Sequence, residues 1–226
     1  MNELVEPFAR MLADHAGRDS LWPEVEASGF LDVLVPEERG GVGLTLADAG
    51  ALAQAFGRSG SDAPFVTTLV DRAGTGGRET LAALTAAEIA GGLEAILDMT
   101  LEHANTRVQF GRPIGKFQAI QQQLAVMAEH TVLARIAAQF ACAADATPER
   151  AGVGKYNASA AVPICTGIAH AVHGAIGITA EYPLAARVRR LHQLRMAHGS
   201  EGYWADVIGA ARLSRDVDTL EFARTI

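Results

Sequence analysis

Aromatic residues and cysteines are both scarce in this 226-residue chain, and their scarcity limits the classes of protein to which it can belong. Aromatics make up 6% of the residues and hydrophobic residues as a whole 49%, with alanine far ahead of valine and isoleucine. This balance favours close-packed helices over sheets. The two cysteines, Cys142 and Cys165, lie inside apolar helical stretches. We therefore expect them to be small core residues of a reduced, cytosolic protein.

The chain also lacks an excess of positive charge and any long unbroken run of apolar residues. Its 19 Lys and Arg are outnumbered by 26 Asp and Glu, and the resulting net charge of −7 argues against a nucleic-acid partner. No apolar run reaches the roughly 18 residues needed to cross a bilayer, so we expect no membrane partner. The N-terminus carries Glu3 and Glu6 where a secretory signal would carry Lys or Arg. We predict a cytoplasmic location.

Apolar residues recur at helical spacing along most of the chain. Residues 4–12 follow this spacing, and Thr45 with Asp48 three positions later predicts a capping box at the start of another helix. Only residues 31–35 and 65–70 have the composition of strands, and neither segment is joined to a partner by a hairpin turn. The periodicity therefore predicts an all-α fold.

Longer helical patterns cover the second part of the chain, at about residues 80–106, 117–140, 147–173, 184–192 and 203–215. The second of these is apolar on two sides, which is typical of a helix at the centre of a bundle or at an interface. We predict an N-terminal helical domain, 1–78, followed by a C-terminal antiparallel four-helix bundle, 79–226.

The connector between the first two long helices carries the most specific signal. Residues 107–121, R-V-Q-F-G-R-P-I-G-K-F-Q-A-I-Q, closely resemble the R-x-x-F-G-x-P-I-G-x-F-Q-x-x-Q connector of the acyl-CoA dehydrogenase family. Residues 36–44 resemble the family's N-terminal P-E-E-x-G-G-x-G motif, and residues 171–183 resemble its Q-x-H-G-G-x-G-x-T loop. The three motifs occur in the family's order, and the resemblance covers residues 22–213.

The resemblance implies a fold with one part missing. Family members have an N-terminal helical domain, a middle β-barrel domain and a C-terminal four-helix bundle. Here the first part ends near Val70 and the bundle begins near Thr80, so no β-barrel fits between them. The chain is similar to an acyl-CoA dehydrogenase without its barrel, and this implies a subunit of a heteromeric enzyme.

The resemblance also implies a cofactor site. In the family, flavin adenine dinucleotide (FAD) lies at a subunit boundary, where the connector and the Q-x-x-G-G loop of one subunit reach a neighbour's cofactor. The matching positions here are Arg107, Phe110, Gln118, Ala171, Gly174 and Ala175. An Arg fork can hold a pyrophosphate through two charge-assisted hydrogen bonds, and backbone amides of a glycine turn approach phosphate closely. The family's Gln and second Gly are Ala171 and Ala175, which removes one hydrogen bond and adds bulk.

The family's reaction needs a carboxylate base, because it removes a proton next to the thioester and delivers a hydride to the flavin. Most members place this Glu in a Y-E-G-T-type motif before the last helices. The matching residues 196–202, M-A-H-G-S-E-G, put His198 at the base position, and a shift by three residues puts Glu201 there instead. The catalytic base is therefore unassigned, with His198 and Glu201 as its two candidates.

Other members place the base on the first bundle helix, where this chain has Leu81, a residue that cannot act as a base. Glu88 and Glu94 lie on other faces of that helix, and we expect them to be surface acids. His170 and His173 are three residues apart on a helix, but no nearby carboxylate or Cys completes a metal site. We therefore predict no metal.

Three functions remain open. The chain is either the helical subunit of a heteromeric FAD-dependent acyl-CoA dehydrogenase, a self-sufficient FAD-dependent acyl-CoA dehydrogenase with an atypical base, or a flavin-free helical scaffold. In the first, a partner subunit carries the barrel, the Glu and the acyl-CoA thioester, and this chain alone is inactive. In the second, a homo-oligomer binds FAD itself and uses His198 or Glu201 as its base. The joint loss of barrel and base, beside a retained cross-subunit motif, favours the first.

Overall fold

The computed structural model describes residues 3–15, 20–74, 76–143 and 146–226. In these ranges the chain forms helices α1 (Val5–Asp14), α2 (Leu21–Ala27), α3 (Leu46–Ser59), α4 (Phe65–Ala73), α5 (Arg78–Thr106), α6 (Gln118–Cys142), α7 (Pro148–His173), α8 (Leu184–Met196), α9 (Glu201–Leu213) and α10 (Thr219–Thr225). Two short strands, β1 (Val108–Gln109) and β2 (Arg112–Pro113), make up the sheet structure of the described part. The all-α prediction is confirmed, and the described residues contain no β-barrel. Met1 and Asn2, part of the N-terminus from which we inferred location, lie outside these ranges.

Side-chain capping and aromatic packing define the N-terminal helices α3 and α4. Thr45 Oγ1 accepts a hydrogen bond from the Asp48 amide, and the Asp48 carboxylate accepts one from the Thr45 amide, which confirms the capping box of α3. The two segments with strand-like composition are not strands, since residues 65–70 belong to α4 and residues 30–32 form a 3-10 turn, in agreement with the predicted all-α fold. The apolar residues of α4 also recur at i and i+4, and Phe65 is completely buried against Phe56, at a ring distance of 4.7 Å.

The second part is the predicted four-helix bundle. Helices α5, α6 and α7 pack on one another, and the fourth position is divided between α8, which contacts α5 and α7, and α9, which contacts α7. Helix α3 packs on α5 so closely that a Cβ added at Gly57 would lie 1.9 Å from the Glu88 carbonyl oxygen. The buried core is continuous from Phe8 to Leu194. It therefore crosses the boundary at 78/79, which stays a prediction.

Two helical segments, residues 78–106 and 148–178, are long and apolar enough by length and composition alone to cross a membrane. The sequence alone predicted neither, because polar residues interrupt every apolar run: residues 78–106 hold six charged residues and residues 148–178 hold three. Core helices of soluble proteins have the same properties, and 78% of the apolar window in α5 is buried inside this protein.

Candidate functional site

The connector between α5 and α6 is a tight β-hairpin. Strands β1 and β2 pair antiparallel, and the two residues between them, Phe110 and Gly111, have φ angles of +51° and +79°. Two left-handed residues are typical of a type I′ hairpin turn, whose twist matches that of the strands. The sequence analysis predicted no strand in this connector, because type I′ turns favour Asn-Gly and Phe-Gly is a weak signal. The turn leaves the Phe110 side chain 91% exposed.

Short-range contacts fix this hairpin. The Ile114 amide donates a 2.8 Å hydrogen bond to the Arg107 carbonyl, which closes the loop just beyond the strands. The Arg112 guanidinium lies over the Phe117 ring at 4.2 Å, and the Phe110 ring meets Phe117 edge-on with centroids 6.1 Å apart. The hairpin therefore has a defined geometry without any ligand.

Three of the predicted cofactor residues lie on or beside the hairpin. Arg107 ends α5, Phe110 occupies the turn, and Gln118 begins α6, and all three are exposed. Neither the Arg107 guanidinium nor the Gln118 amide hydrogen-bonds to any other part of the chain that the structure describes. These polar groups are therefore available to a ligand or to another chain.

The other three predicted residues lie where α7 ends. Ala171 is in the last turn of the helix, Gly174 follows it with φ at +63°, and Ala175 lies in a 3-10 turn over Gly174–Ile178. All three are exposed, and nothing lies within 4 Å of the position that a Gly174 side chain would take. The backbone at this turn is therefore open to an incoming group.

A pair of stacked histidines joins the two halves of this region. The His103 and His173 rings stack with centroids 4.4 Å apart, and His173 bonds the Ala169 carbonyl at 2.8 Å and the Tyr182 hydroxyl at 3.1 Å. Burial lowers the pKa of both imidazoles. Because this contact places the C-terminal ends of α5 and α7 side by side, all six predicted cofactor residues lie at one end of the bundle. The sequence analysis missed His103, which lies one helical turn before Arg107.

The two base candidates lie far from that end. His198 and Glu201 are in and after the α8–α9 loop, which is bonded to Lys155 near the start of α7. Lys155 and Ala171 are 16 residues apart on α7, roughly 24 Å along a helix. The structure therefore separates the base candidates from the six cofactor candidates.

The two base candidates differ in their environments. His198 has a φ of +57° and is half-buried, and burial, Lys155 and Arg78 lower its pKa, which favours a neutral imidazole able to accept a proton. The Glu201 carboxylate is 2.5 Å from the Arg195 guanidinium, and its side chain is only 17% exposed. Because Glu201 is already paired, His198 is the more available of the two.

Lys155 is a functional candidate that the sequence analysis did not identify. It is completely buried, and its ammonium donates to Ser159 Oγ at 2.8 Å, to the Arg195 carbonyl at 2.8 Å and to the Gly199 carbonyl at 3.1 Å. Burial lowers its pKa from 10.5 to about 8. The sequence held one signal for it: Lys155 is one of only two lysines in the chain, and it lies among small residues with Ser159 one helical turn later. Lys155 thus ties the end of α8 and the loop of His198 to α7.

The expectation that Glu88 and Glu94 are surface acids was wrong. Glu88 is 1% exposed and pairs with Arg190 at 2.7 Å, and burial raises the pKa of its carboxyl group despite this guanidinium. Glu94 accepts hydrogen bonds from Gln54 and from Arg58, at 3.0 and 3.1 Å. Both acids face helices that pack on α5, and the sequence alone did not show which helices those are.

The described residues form a helical framework without a β-barrel, and comparison with known proteins identifies the class of protein that has this framework. Residues 1–86 match the model of the acyl-CoA dehydrogenase N-terminal domain and residues 80–213 that of the acyl-CoA dehydrogenase C-terminal domain. The chain belongs to the acyl-CoA dehydrogenase family, whose enzymes depend on FAD.

Its curated relatives are considerably longer proteins. Acyl-CoA dehydrogenase IpdE2 of Mycobacterium tuberculosis is 39% identical over 114 residues, which are 50% of this chain and 36% of that protein. Glutaryl-CoA dehydrogenase of Desulfococcus multivorans is 34% identical over 125 residues, 53% of this chain and 32% of the relative. The chain thus matches about a third of the length of these relatives.

Two solved structures are similar to the fold. A chain of the Tcur3481–Tcur3483 steroid ACAD variant superposes with a TM-score of 0.81, at 18% identity, over 94% of this chain and 97% of that one. At this identity the similarity shows the fold alone. A glutaryl-coenzyme A dehydrogenase in complex with glutaryl-CoA gives a TM-score of 0.58 at 32% identity, over 61% of this chain and 36% of that chain.

Proposed function

We propose that this chain is the helical subunit of a heteromeric FAD-dependent acyl-CoA dehydrogenase. It supplies the bundle interface and part of the FAD site of a partner subunit, which carries the acyl-CoA thioester. The observation that carries this proposal is the preformed hairpin at the end of the bundle, where the side chains of Arg107 and Gln118 have no hydrogen-bond partner among the described residues and Phe110 is 91% exposed. A large exposed aromatic beside unpaired polar groups is typical of a surface that another molecule covers.

The residues at this end suit the dinucleotide part of FAD. The Arg107 guanidinium offers several N–H donors in a fixed fork, and the exposed turn at Gly174 lets a phosphate or an adenine approach the backbone. Ala171 and Ala175 contribute backbone groups only. FAD supplies the hydride acceptor when bound, and this chain's part is to hold and orient the dinucleotide.

A partner is needed because the described residues lack the parts that would cover the flavin ring and act on the substrate. They include no barrel to cover a flavin ring, and the two candidates for the family's base are His198, which is not a carboxylate, and Glu201, which is paired with Arg195. The name of the Tcur3481–Tcur3483 steroid ACAD joins two gene products, and one of its chains has the fold and the size of this chain. Together these facts favour a heteromeric enzyme over a self-sufficient one.

The proposal is tested on the complex of this chain with an acyl-CoA dehydrogenase subunit from the same source. Because a charge-assisted bidentate contact is lost, we expect Arg107→Ala to weaken FAD retention by about ten-fold while the complex stays assembled. Arg224→Ala is the control, since Arg224 is exposed on α10 and away from the hairpin. Flavin absorbance per complex and acyl-CoA oxidation rate are the measurements.

Three outcomes separate the alternatives. A partner that retains full flavin and full activity without this chain would exclude the proposal. Unchanged flavin content in an assembled Arg107→Ala complex would support the scaffold function, with which the substitutions at Ala171 and Ala175 agree. If this chain purified alone with bound flavin that acyl-CoA reduces, it would be the self-sufficient enzyme, and His198→Ala would then remove activity.

A further inference from the structure

Helix α8 concentrates positive charge in a chain whose net charge is −7. Residues 182–200 contain no Asp or Glu, and they hold four arginines, Arg187, Arg189, Arg190 and Arg195. Arg190 and Arg195 are neutralised by ion pairs with carboxylates at 2.7 and 2.5 Å. The charges of the other two are not neutralised in this way.

Unlike Arg190 and Arg195, neither Arg187 nor Arg189 is paired with a carboxylate among the described residues. The Arg187 guanidinium donates to the carbonyl oxygens of Arg58 and Ser59 at 2.8 and 3.2 Å, so its partners carry no net charge. Arg189 is exposed, and within the part of the chain that the structure describes it forms no ion pair or hydrogen bond. One turn of α8 therefore presents two positive charges without a carboxylate.

These two arginines line a cleft large enough for a small-molecule ligand. The cleft has a volume of about 760 Å³ and lies between α8, the loop joining α3 to α4, and the start of α2. Trp22 forms part of one wall, and Ser59, Ser61 and Gln193 add further hydrogen-bonding groups. Among the described residues that line it, only Asp62 is acidic. Ligand sites commonly have volumes of roughly 300–1,000 Å³ and combine an apolar wall with a few fixed polar groups.

We propose that this cleft binds an adenine nucleotide diphosphate group, with its phosphates at Arg187 and Arg189 and its planar ring against Trp22. Guanidinium groups bind phosphate oxygens bidentately, and the bonds of Arg187 to the end of α3 hold its fork in place before a ligand arrives. Aromatic side chains such as Trp22 are stacking platforms for bases.

A purely structural role explains only part of this arrangement. By donating to the last carbonyls of α3, Arg187 caps the negative end of that helix, which needs no ligand. Capping accounts neither for Arg189, nor for the open cleft beside it, nor for the absence of carboxylates from α8. A bound diphosphate would account for all three, because it neutralises both arginines and fills the cleft.

The cleft is separate from the hairpin end of the bundle. Glu88, which holds Arg190 at the cleft, and Arg107 are 19 residues apart on α5, roughly 28 Å along a helix. The two sites can therefore be tested independently. Adenine diphosphate groups occur in free nucleotides, in coenzyme A and in FAD, and the experiment has an arm for each source.

Binding is measured by calorimetry on the full-length protein with ADP, coenzyme A, FAD and inorganic phosphate. Intrinsic fluorescence is a second measurement, because Trp204 is completely buried and ligand-dependent quenching will report Trp22. We expect ADP and at least one dinucleotide or coenzyme to bind and to quench. Arg189→Gln should weaken ADP binding by about ten-fold, because charge-assisted hydrogen bonds to phosphate are lost. Arg224→Gln, an equal charge change elsewhere, should leave it unchanged.

The comparison of these ligands and variants either supports or overturns the proposal. Stronger quenching of Trp22 by coenzyme A or by FAD than by ADP at equal concentration would identify the source of the nucleotide group. Inorganic phosphate binding as tightly as ADP would overturn the nucleotide assignment, as would equal losses in Arg189→Gln and Arg224→Gln or no binding by any ligand. Quenching of Trp22 reports binding at the cleft, and flavin retention in the Arg107→Ala complex reports the hairpin, so a failure of one proposal is distinguishable from a failure of the other.

Discussion

His173 lies face to face with His103, with ring centroids 4.4 Å apart, and this stack is one direct contact between the two segments proposed to hold a dinucleotide. One ring precedes Arg107 by a single helical turn, and the other precedes Gly174 by one residue. The separation of Arg107 from the Gly174 turn therefore depends on a contact between two titratable groups.

We predict that this link is sensitive to acid. The pKa of each imidazole is lowered from 6.5, mainly by burial, and His173 and Arg107 lower that of His103 further. A histidine whose folded pKa is depressed contributes stability that is present above pH 6.5 and is lost as the pH falls through the folded pKa. Melting temperatures between pH 5 and pH 8 measure this loss. His103→Phe keeps an aromatic stack and removes one titration, so its melting temperature should fall less on acidification. Equal pH profiles for the two proteins would contradict the prediction.

The helical framework was predictable from the sequence, and the cofactor candidates are predictions that have a different basis. Periodicity predicted the long helices, because a bundle helix must bury one face along its whole length. The six cofactor candidates came only from a motif resemblance, since nothing in the local composition distinguishes Arg107 or Gln118 from other surface residues, and the hairpin was not predicted. The burial of Glu88 was unpredictable in principle, because it depends on Arg190, which is 102 residues away.

The contact between α3 and α5 depends on glycines whose backbones almost touch. A Cβ added at Gly57 would lie 1.9 Å from the Glu88 carbonyl oxygen, and one added at Gly91 would lie 1.9 Å from that of Gln54. We predict that Gly91→Ala destabilises the fold by about 3 kcal/mol, at the upper end of overpacking costs, because helix backbones cannot yield locally. Chemical denaturation is the measurement.

The matched control for that substitution is Gly167→Ala. Gly167 also lies inside a helix, but nothing is within 4 Å of the position of its Cβ. Alanine is the better helix former, so the control should raise the free energy of unfolding by about 0.5–1 kcal/mol. If both variants changed stability in the same direction, helix propensity and not close packing would determine the effect at Gly91.

Lys155 provides the last prediction, which concerns the loop of His198. Its buried ammonium bonds the Arg195 and Gly199 carbonyls on either side of that loop. Burial lowers its pKa from 10.5 to about 8. Because the folded pKa is the lower one, the contribution of Lys155 to the free energy of unfolding is fully present above pH 10.5. It is lost as the pH falls through about 8, since below pH 10.5 the unfolded chain binds the proton more readily than the folded chain.

The prediction is tested by comparing wild type with Lys155→Met over that range. The free energy of unfolding of the wild type, minus that of the variant, should rise between pH 8 and pH 10.5 by up to roughly 3 kcal/mol, at about 1.4 kcal/mol per pH unit. Taking the difference removes the contribution of the Cys142 and Cys165 thiols to the pH dependence. Burial raises the pKa of both thiols, and they titrate equally in the two proteins. Denaturant unfolding at several pH values provides both curves. A difference that stays constant with pH would show that Lys155 keeps its proton throughout, with the hydrogen bonds to the loop outweighing the cost of burying its charge.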